Sequence, residues 1–264
     1  MQYGLAITNA IDARALVALA QEAEAAGWDG IFYWDSPDSS DAWVALTAAA
    51  MSTKRIKLGT MVTPLPQQLP WKVAGEAATL DQLSNGRVIL PVGLGVTDFE
   101  RTGIPKDYKI RAKMLDEGLA IVQNMWHGEP FSYEDGKYYH IEPHISGEKP
   151  VQQPRIPIWV VGGEKQTQLR RAARWDGAMI QGTPEEIAAR KNAIMQLREI
   201  TTPLDIITEG STPGDNPEQA ASIVRAYAEA GLTWWNEAVW DTPWSTGGLE
   251  GVRMRIKQGP PPRM

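Results

Sequence analysis

The sequence predicts an α/β fold: a (β/α)8 TIM barrel with a short β-hairpin insertion before strand 5, as a single domain over residues 1–264. The length of 264 residues is close to the roughly 250 residues typical of such barrels. Short β-rich runs alternate with helical patterns, and eight such units can be counted, which is the signature of parallel βα units. No linker or shift in composition divides them, whereas an open doubly wound sheet usually stops at about five or six strands.

Each predicted unit pairs a strand with the helix that follows it. Asp12 is expected to cap the first helix and Gly27 to end it, because a carboxylate accepts amide hydrogens at a helix start and glycine adopts left-handed dihedrals beyond its end. Pro70 suits the first turn of the third helix. The units, strand first, are 3–7 with 12–26, 30–34 with 43–51, 56–62 with 70–83, 88–93 with 111–126, 156–161 with 165–175, 178–181 with 184–200, 204–208 with 217–230, and 233–239 with 249–258.

Two local features depart from this alternation. Pro91 falls inside the fourth predicted strand, where it has no amide hydrogen for the ladder, so we expect a bulge there. Aromatic runs on both sides of Asp135-Gly136 predict a β-hairpin over residues 131–140. We expect the hairpin to interrupt the barrel without starting a new domain, because the strand and helix pattern resumes at residue 156.

Composition excludes several classes of function. The net charge of -6 and the pI near 5.2 argue against a nucleic-acid binder, which depends on clustered Lys and Arg. The chain has no Cys, which excludes disulfides, thiolate metal sites and Cys nucleophiles and fits a reducing compartment. The start has no signal-peptide pattern and no stretch is long and apolar enough for a membrane span, so we expect a cytoplasmic protein that binds no membrane.

Two common kinds of catalytic site are also not expected. The three histidines, His127, His140 and His144, are not spaced to meet on one helix face, so we expect no metal site. The sequence contains no Gly-x-Ser-x-Gly motif, which disfavours a hydrolase built on a serine triad.

In a (β/α)8 barrel the site forms where the strands end, so polar residues at strand ends are the candidates. Asp35 ends the apolar run IFYWD, where a carboxylate needs a polar cavity or a helix start to cap. Glu209 and Glu237 occupy corresponding places in the seventh and eighth strands. Each is a candidate acid, base or hydrogen-bond acceptor if its surroundings shift its pKa, or else a salt-bridge partner.

Glycine and tryptophan provide further candidates. Gly162-Gly163 follows the fifth strand and precedes a helix, where bare amides can hold a phosphate; the alternative is a tight turn that needs glycine dihedrals. Tryptophan is frequent, with 11 residues, and its large ring suits the wall of a site for a flat ligand. Candidate walls, each of which could instead belong to the core or to an interface, are Trp34, Trp235, Trp240 and Trp244.

Several stretches together resemble the luciferase-like monooxygenase superfamily, the flavin- or deazaflavin-dependent oxidoreductases built on this barrel. They occur in the family's order and span most of the chain. These stretches are EAEAAGWDGIFYWD (22–35), DAWVALTAAAMSTKRIKLGTMVTPL (41–65), WKVAGEAATLDQLSNGRVILPVGLG (71–95), RAKMLDEGLAIVQNMWHGEPFSYEDGKYY (111–139), PVQQPRIPIWVVGGEKQTQLRRAARWDGAM (150–179) and AEAGLTWWNE (228–237).

The resemblance implies roles for particular residues. A non-prolyl cis peptide at the end of the third strand supports the flavin ring in this family, and by position it falls at Met61-Val62. Asp35 matches an acidic position beside the pyrimidine end of the ring, and Gly162-Gly163 matches the phosphate-holding turn. The cofactor-binding set is therefore expected to be Asp35, Ser36, Thr60, Met61, Val62, Gly93, Gly95, Gly162, Gly163 and Glu164.

The implied activity is hydride transfer, or oxygen activation on paired donors, at coenzyme F420 or FMN, with F420 slightly favoured and no metal. Asp35, Glu209 and Glu237 are the expected catalytic residues. Many deazaflavin-dependent relatives have His after the strand-two acid, where this chain has Ser36, so the usual proton-transfer pair is missing. This departure keeps an alternative open, a non-redox barrel that binds a phosphorylated ligand. Expected partners are a small-molecule substrate, a flavin reductase and a second copy of the chain in a homodimer.

Overall fold

The computed structural model describes residues 1–8, 10–37, 40–95, 103–239 and 247–263, with the backbone alone at 143–145. Within these residues, eight parallel strands form one sheet, which confirms the predicted fold class. Its strands are β1 (Gln2–Ile7), β2 (Gly30–Tyr33), β3 (Lys57–Thr60), β4 (Leu90–Val92), β7 (Ile158–Val161), β8 (Gly177–Met179), β9 (Asp205–Gly210) and β10 (Trp234–Ala238), and β5 (Phe131–Tyr133) and β6 (Ile141–Ile145) form a separate hairpin.

Among the described residues, a helix follows each barrel strand, and the hairpin lies between the fourth of these helices and β7. The helices begin and end close to the predicted positions. They are α1 (Ala13–Ala26), α2 (Ala42–Ser52), α3 (Pro70–Ser84), α4 (Tyr108–His127), α5 (Gln166–Ala172), α6 (Pro184–Leu197), α7 (Pro217–Glu229) and α8 (Gly248–Lys257). In the part of the chain that the structure describes, no helix has both the length and the apolar character needed to cross a membrane.

The helix ends behave as their sequences predict. The side chain of Asp12 accepts a hydrogen bond from the amide of Ala15 at 2.8 Å. Gly27 ends α1 in the left-handed region with φ of 89°, and Pro70 occupies the first turn of α3. These caps set the ends of the helices that pack around the barrel.

The barrel closes between β3 and β4. Leu58 forms a bridge with Val88, and Thr63 with Val92, so five steps along one segment lie opposite four along the other. One extra residue therefore lies in the segment after β3, a bulge opposite Pro91 rather than in Pro91's own strand. The carbonyl of Pro91 still accepts the Thr63 amide at 2.9 Å.

The hairpin insertion is confirmed, although its second strand begins at Ile141, later than predicted. β5 and β6 pair antiparallel, with Phe131 opposite Ile145. The carboxylate of Glu117 on α4 accepts the amide of Tyr138 at 2.9 Å. The hairpin is therefore attached to the outer helix layer.

Large aromatic rings fill the interior of the barrel. Trp159 lies 5.3 Å from Phe32 and 5.2 Å from Trp234 between ring centroids, and all three side chains are buried. Beneath them, the indole of Trp159 donates to Asp205, which also accepts from Thr233. Because the interior is filled there, space for a ligand is found at the carboxyl ends of the strands.

Candidate functional site

A cavity of about 560 Å³, here called the mouth cavity, opens at the carboxyl ends of the strands. It lies where the sequence predicts the site. Its walls combine apolar side chains with a few polar ones. They are formed by Trp34, Met61, Val62, Val161, Gly162, Gly163, Glu164, Met179, Gln181, Arg190 and Glu209.

The alternation of side chains along each strand decides which residues reach this cavity. On β9, Ile207 belongs to the cluster inside the barrel, so Glu209, two residues on, points to the same side. On β10, Trp234 belongs to that inner cluster, whereas Trp235 belongs to the cluster between strands and helices. A shift of one residue along a strand therefore separates a side chain in the cavity from one outside it.

The apolar floor of the mouth cavity includes the segment after β3. The peptide bond between Met61 and Val62 is cis, as the resemblance predicts. A Cβ added at Gly93 would lie 2.7 Å from a methyl carbon of Val62. The absence of a side chain at Gly93 therefore leaves room for the Val62 side chain.

The Gly162-Gly163 turn, at the end of β7, lines another part of the wall. Neither glycine has a positive φ, so left-handed dihedrals do not explain these residues. The amide of Gly162 donates to the carbonyl of Met179 at 2.8 Å. The amides of Gly163 and Glu164 donate no hydrogen bond within the described residues, so both N–H groups can donate to a ligand.

The helix after this turn contributes little to anion binding. α5 begins at Gln166, three residues past Gly163, and has seven residues. Its N-cap amide, at Lys165, already donates to the side chain of Gln168 at 3.1 Å. The open amides, rather than a helix dipole, are the feature that suits a phosphate at this turn.

Glu209 projects into the mouth cavity from the end of β9. Its carboxyl group has no hydrogen-bond partner among the described residues. Burial raises the pKa of Glu209 above its ordinary value, because the charged form loses hydration without gaining a partner. A carboxyl group with a raised pKa holds a proton more readily than an ordinary glutamate, which suits a general acid or base.

The expectation that Glu237 faces the mouth is corrected by the structure. Its carboxylate accepts from the amide and hydroxyl of Thr212 at 2.6 and 2.8 Å, from the Trp235 indole at 3.1 Å and from Arg255 at 3.3 Å. Glu237 and Arg255 are both buried between the barrel and the helices. The physical reason is the alternation described above, which places Glu237 on the outward face of β10.

The predicted tryptophan walls divide in the same way. Trp34 lines the mouth cavity and is 36% exposed. Trp235 is only 2% exposed and packs against Tyr227 with a centroid distance of 5.2 Å, so its prediction as a cavity wall is corrected. Trp240 and Trp244 lie outside the described residues.

Asp35 and Ser36 line a second, smaller cavity of about 220 Å³ together with Asp41, Pro64 and Gln67 among others. Burial raises the pKa of Asp35 to about 7, and the nearby charges of Asp41 and Glu76 act in the same direction. A hydrogen bond from Thr63 opposes this rise. One carboxyl oxygen of Asp35 is buried without a partner, which makes it a group with unused hydrogen-bonding capacity.

The remaining predicted cofactor residues lie behind these walls. Thr60 is fully buried, and its hydroxyl is 2.8 Å from that of Thr63, so Thr60 reaches Asp35 only through Thr63. Gly95 has φ of 77°, and a Cβ there would lie 2.3 Å from the Gln67 amide. Both residues shape the backbone around the second cavity and are absent from the lining of the mouth cavity.

Three polar residues at this end of the barrel were not among the predicted site residues. Gln181 and Arg190 line the mouth cavity, and Arg190 comes from the middle of α6, where no strand-end signal marks it. Asn236 pairs in register with Glu209 and is fully buried with both amide atoms unpartnered. No group of three or more potential metal ligands occurs in the described part of the chain.

The luciferase-like monooxygenase family model matches residues 1–238. The chain is 33% identical over 138 residues to the oxygenase component of the flavin-dependent trigonelline monooxygenase of Acinetobacter baylyi, a match that covers 51% of this chain and 37% of that protein. It therefore spans little more than a third of that relative's length.

Several solved structures share the fold, among them two enzymes. One is the coenzyme F420-dependent tetrahydromethanopterin reductase of Methanopyrus kandleri, with a TM-score of 0.81, 16% identity and 98% of both chains covered. The other is the oxygenating constituent of 3,6-diketocamphane monooxygenase of Pseudomonas putida, in complex with FMN, with a TM-score of 0.77, 18% identity, and 100% and 99% of the two chains covered. At these identities the similarity concerns the fold alone.

Proposed function

The chain belongs to the luciferase-like monooxygenase family, and we propose that it is an oxidoreductase that binds a flavin or deazaflavin cofactor in the mouth cavity. It acts by hydride transfer, or by oxygen activation on paired donors, with a small organic substrate. The observation that carries the proposal is one cavity with an apolar floor at Met61-Val62, unpartnered amides at Gly163 and Glu164, and an unpaired carboxyl at Glu209.

The residues fit such a cofactor. A volume of about 560 Å³ lies within the roughly 300–1,000 Å³ of small-molecule sites, which are mostly apolar with a few placed polar groups. Met61, Val62 and Met179 offer apolar contacts for a flat ring. The amides of Gly163 and Glu164 suit an anion, because hydrogen bonds between amides and phosphate oxygens are charge-assisted.

When bound, the cofactor supplies the redox chemistry, while the protein supplies position and electrostatics. Glu209 holds or releases a proton at its carboxyl group, since burial raises its pKa and favours the protonated form relative to an ordinary glutamate. We place Asp35, which lines the second cavity and follows Trp34 of the mouth cavity, beside the polar edge of the ring. With a pKa of about 7, it can donate or accept a hydrogen bond near neutral pH.

Ser36 cannot take the role that His has in many deazaflavin-dependent relatives. A hydroxyl donates a hydrogen bond but does not take up a proton at neutral pH. We therefore place proton transfer on Glu209 or on the substrate itself. The same observation favours the second candidate, a barrel that binds a phosphorylated ligand without redox turnover.

F420 is our first choice of cofactor, and FMN is the second. The segments around Asp35 and residues 59–64 look closest to the deazaflavin branch, while the amides at the turn suit the phosphate of either molecule. If FMN is used, a separate reductase is the proposed source of reduced flavin. The name of the trigonelline relative, an oxygenase component, supports such a division of labour.

A visible absorbance spectrum of the purified protein, followed by titration with F420 and with FMN, tests this function. We expect saturable binding of one of them at micromolar concentration, with F420 preferred. Binding of FMN with no response to F420 would reverse the preference. If neither binds while a sugar phosphate does, the protein is a non-redox phosphate binder.

We also propose that the protein forms a homodimer through α2. This helix carries no charged residue, and Val44 and Met51 on its outer side are 69% and 66% exposed. A second copy would bring the same uncharged surface, which makes α2 complementary to itself. Sedimentation velocity should show a dimer for the wild type and a monomer for Val44→Glu; a monomeric wild type would refute the proposal.

A further inference from the structure

We propose that Arg190 is an anion-binding residue of the mouth cavity, and that Glu164 pairs with it until an incoming anion takes the carboxylate's place. The inference rests on the proposed function, because the anion in question is the phosphate of the cofactor. It adds a cation to the turn at Gly162-Gly163 and a competing anion beside it. The affinity of this site for the phosphate therefore depends on how readily Arg190 exchanges the Glu164 carboxylate for the phosphate.

Arg190 places hydrogen-bond donors beside the two open amides of the mouth cavity. Its guanidinium extends from α6 to the wall of the mouth cavity, where it donates to the carbonyl of Gln181 and, at 2.6 Å, to a carboxyl oxygen of Glu164. Gly163 and Glu164, whose amides are unpartnered, line the same cavity. An arginine has five N–H donors in a planar fork that matches phosphate oxygens, so donors remain for a ligand.

The backbone is built to hold Arg190 in this place. Gly182 has φ of 141°, and a Cβ there would lie 3.2 Å from the Arg190 guanidinium. α6 starts immediately afterwards with a capping box, in which Thr183 and Glu186 exchange hydrogen bonds between side chain and backbone. The glycine leaves room for Arg190, and the cap fixes the helix that carries it.

The ion pair with Glu164 is unequal, which makes it exchangeable. The side chain of Arg190 is 17% exposed, whereas that of Glu164 is 79% exposed. Ion pairs with solvent-exposed members contribute little to stability, and Glu164 can swing into water at small cost. A phosphate offers more acceptor oxygens than a carboxylate and can also bind the two open amides, so it should displace Glu164 from Arg190.

The competing reading is that the pair only links the β7 and β8 ends of the barrel. The two readings predict different responses to Glu164→Gln. If the pair is only a link, removal of the carboxylate charge weakens the mouth and lowers or leaves unchanged the affinity for a phosphorylated ligand. If Glu164 competes with the ligand, the same change raises that affinity.

The experiment compares FMN with riboflavin, which lacks the phosphate, and F420 with its ring and ribityl portion alone. In each pair, the dissociation constant of the molecule without the phosphate divided by that of the molecule with it measures phosphate recognition. We expect Arg190→Gln to reduce this ratio at least tenfold and Glu164→Gln to raise it at least threefold. Affinity for riboflavin should change less than twofold in both variants.

Arg174→Gln is the matched control, because Arg174 forms an exposed ion pair with Asp116 away from the mouth cavity; its ratio should equal that of the wild type. Thermal unfolding checks that each variant is folded, and Glu164→Gln keeps the test decisive if Arg190→Gln is unstable. An unchanged ratio in Glu164→Gln, or in folded Arg190→Gln, overturns the inference.

Calorimetric titration with inorganic phosphate separates this inference from the proposed function. If phosphate binds the wild type but not Arg190→Gln, while no flavin or deazaflavin binds, the anion site stands and the proposed function fails. If cofactor binds with equal phosphate recognition in wild type and Arg190→Gln, the proposed function stands and the role of Arg190 is refuted.

Discussion

Glu209 and Glu237 lie at the ends of neighbouring strands, yet they occupy opposite sides of the barrel wall. Glu237 is fully buried between strands and helices and is held by Thr212, Trp235 and Arg255. Glu209 faces the mouth cavity without a hydrogen-bond partner among the described residues, and burial raises its pKa. One glutamate therefore belongs to the packing between strands and helices, and the other belongs to the mouth cavity.

The difference shows how a buried carboxylate is assigned to structure or to chemistry. Fully bonded to a buried arginine, Glu237 has neither a free oxygen nor access to a ligand, so its contribution is to stability. The carboxyl group of Glu209 is desolvated without compensation, which native proteins tolerate mainly where a ligand or proton will be handled.

Glu237→Gln should have the largest effect. The substitution leaves Arg255 buried without its counter-charge, and breaking a buried pair costs about 3–5 kcal/mol. Equilibrium unfolding in urea measures this loss. The double variant Glu237→Leu/Arg255→Met should recover much of it, because paired apolar side chains replace a buried ion pair well. A loss of unfolding free energy below about 1 kcal/mol would show that Glu237 has no structural role of the kind proposed.

Glu209→Gln should reduce turnover by about a hundredfold or more, the usual range for loss of a general acid or base. Stability should not fall, because no hydrogen bond is removed; above the ordinary Glu pKa it should rise, since the folded protein no longer holds a desolvated charge. Steady-state kinetics and urea unfolding measure the two effects. Full turnover in the variant would remove Glu209 from the proposed mechanism.

Gly163→Val tests whether the open backbone amides of the mouth cavity bind the cofactor. A Cβ at this position would lie 2.3 Å from the side-chain oxygen of Gln168, which can move, so the barrel should still fold. The branched side chain should block the approach of the phosphate to the open amides and weaken cofactor binding at least tenfold, about 1.4 kcal/mol. Gly75→Val, where an added Cβ meets nothing within 4 Å, is the control in the same titration.

Asp35→Asn should produce a smaller effect that depends on pH. Because the folded pKa of Asp35 is raised to about 7, the folded state binds the proton more tightly than the unfolded state. The stability that Asp35 contributes is thus present in acid and declines as pH rises through about 7, by at most about 1.4 kcal/mol per pH unit. Unfolding of wild type and variant from pH 4 to 8 should show a steeper decline in the wild type, because Glu209, whose pKa is also raised, is present in both.

Ser36→Ala should have the smallest effect, less than about threefold on turnover, because a hydroxyl contributes one hydrogen bond and no proton uptake at neutral pH. Kinetics at several pH values compare it with Asp35→Asn. A pH–rate profile that collapses in Ser36→Ala and survives in Asp35→Asn would exchange the roles of the two residues.

The order of strands and helices could be predicted from the sequence because its signals are local. Asp12, Gly27 and Pro70 end or begin helices through their own backbone and side-chain chemistry. The position of the cis bond at Met61-Val62 followed from family resemblance rather than from any local signal. The place of the Gly162-Gly163 turn followed from its position after a strand.

The faces of β10 could not be predicted in the same way. All five residues of this strand are buried, because parallel strands in a barrel are covered on both sides and lack polar and apolar alternation. Trp235 and Glu237 therefore gave no sign that they point outward. Arg190 could not be predicted for another reason: its long side chain reaches the mouth from inside a helix, away from the strand ends where this fold places a site.

A crystal structure of the protein with bound F420, or with FMN if that is the cofactor, tests the central claim most directly. We expect the ring in the mouth cavity against Met61-Val62, its phosphate on the amides of Gly163 and Glu164, and Glu209 in contact with ligand while Glu237 keeps its bonds to Arg255. Cofactor bound elsewhere on the chain, or a phosphate away from the Gly162-Gly163 turn, would contradict the account.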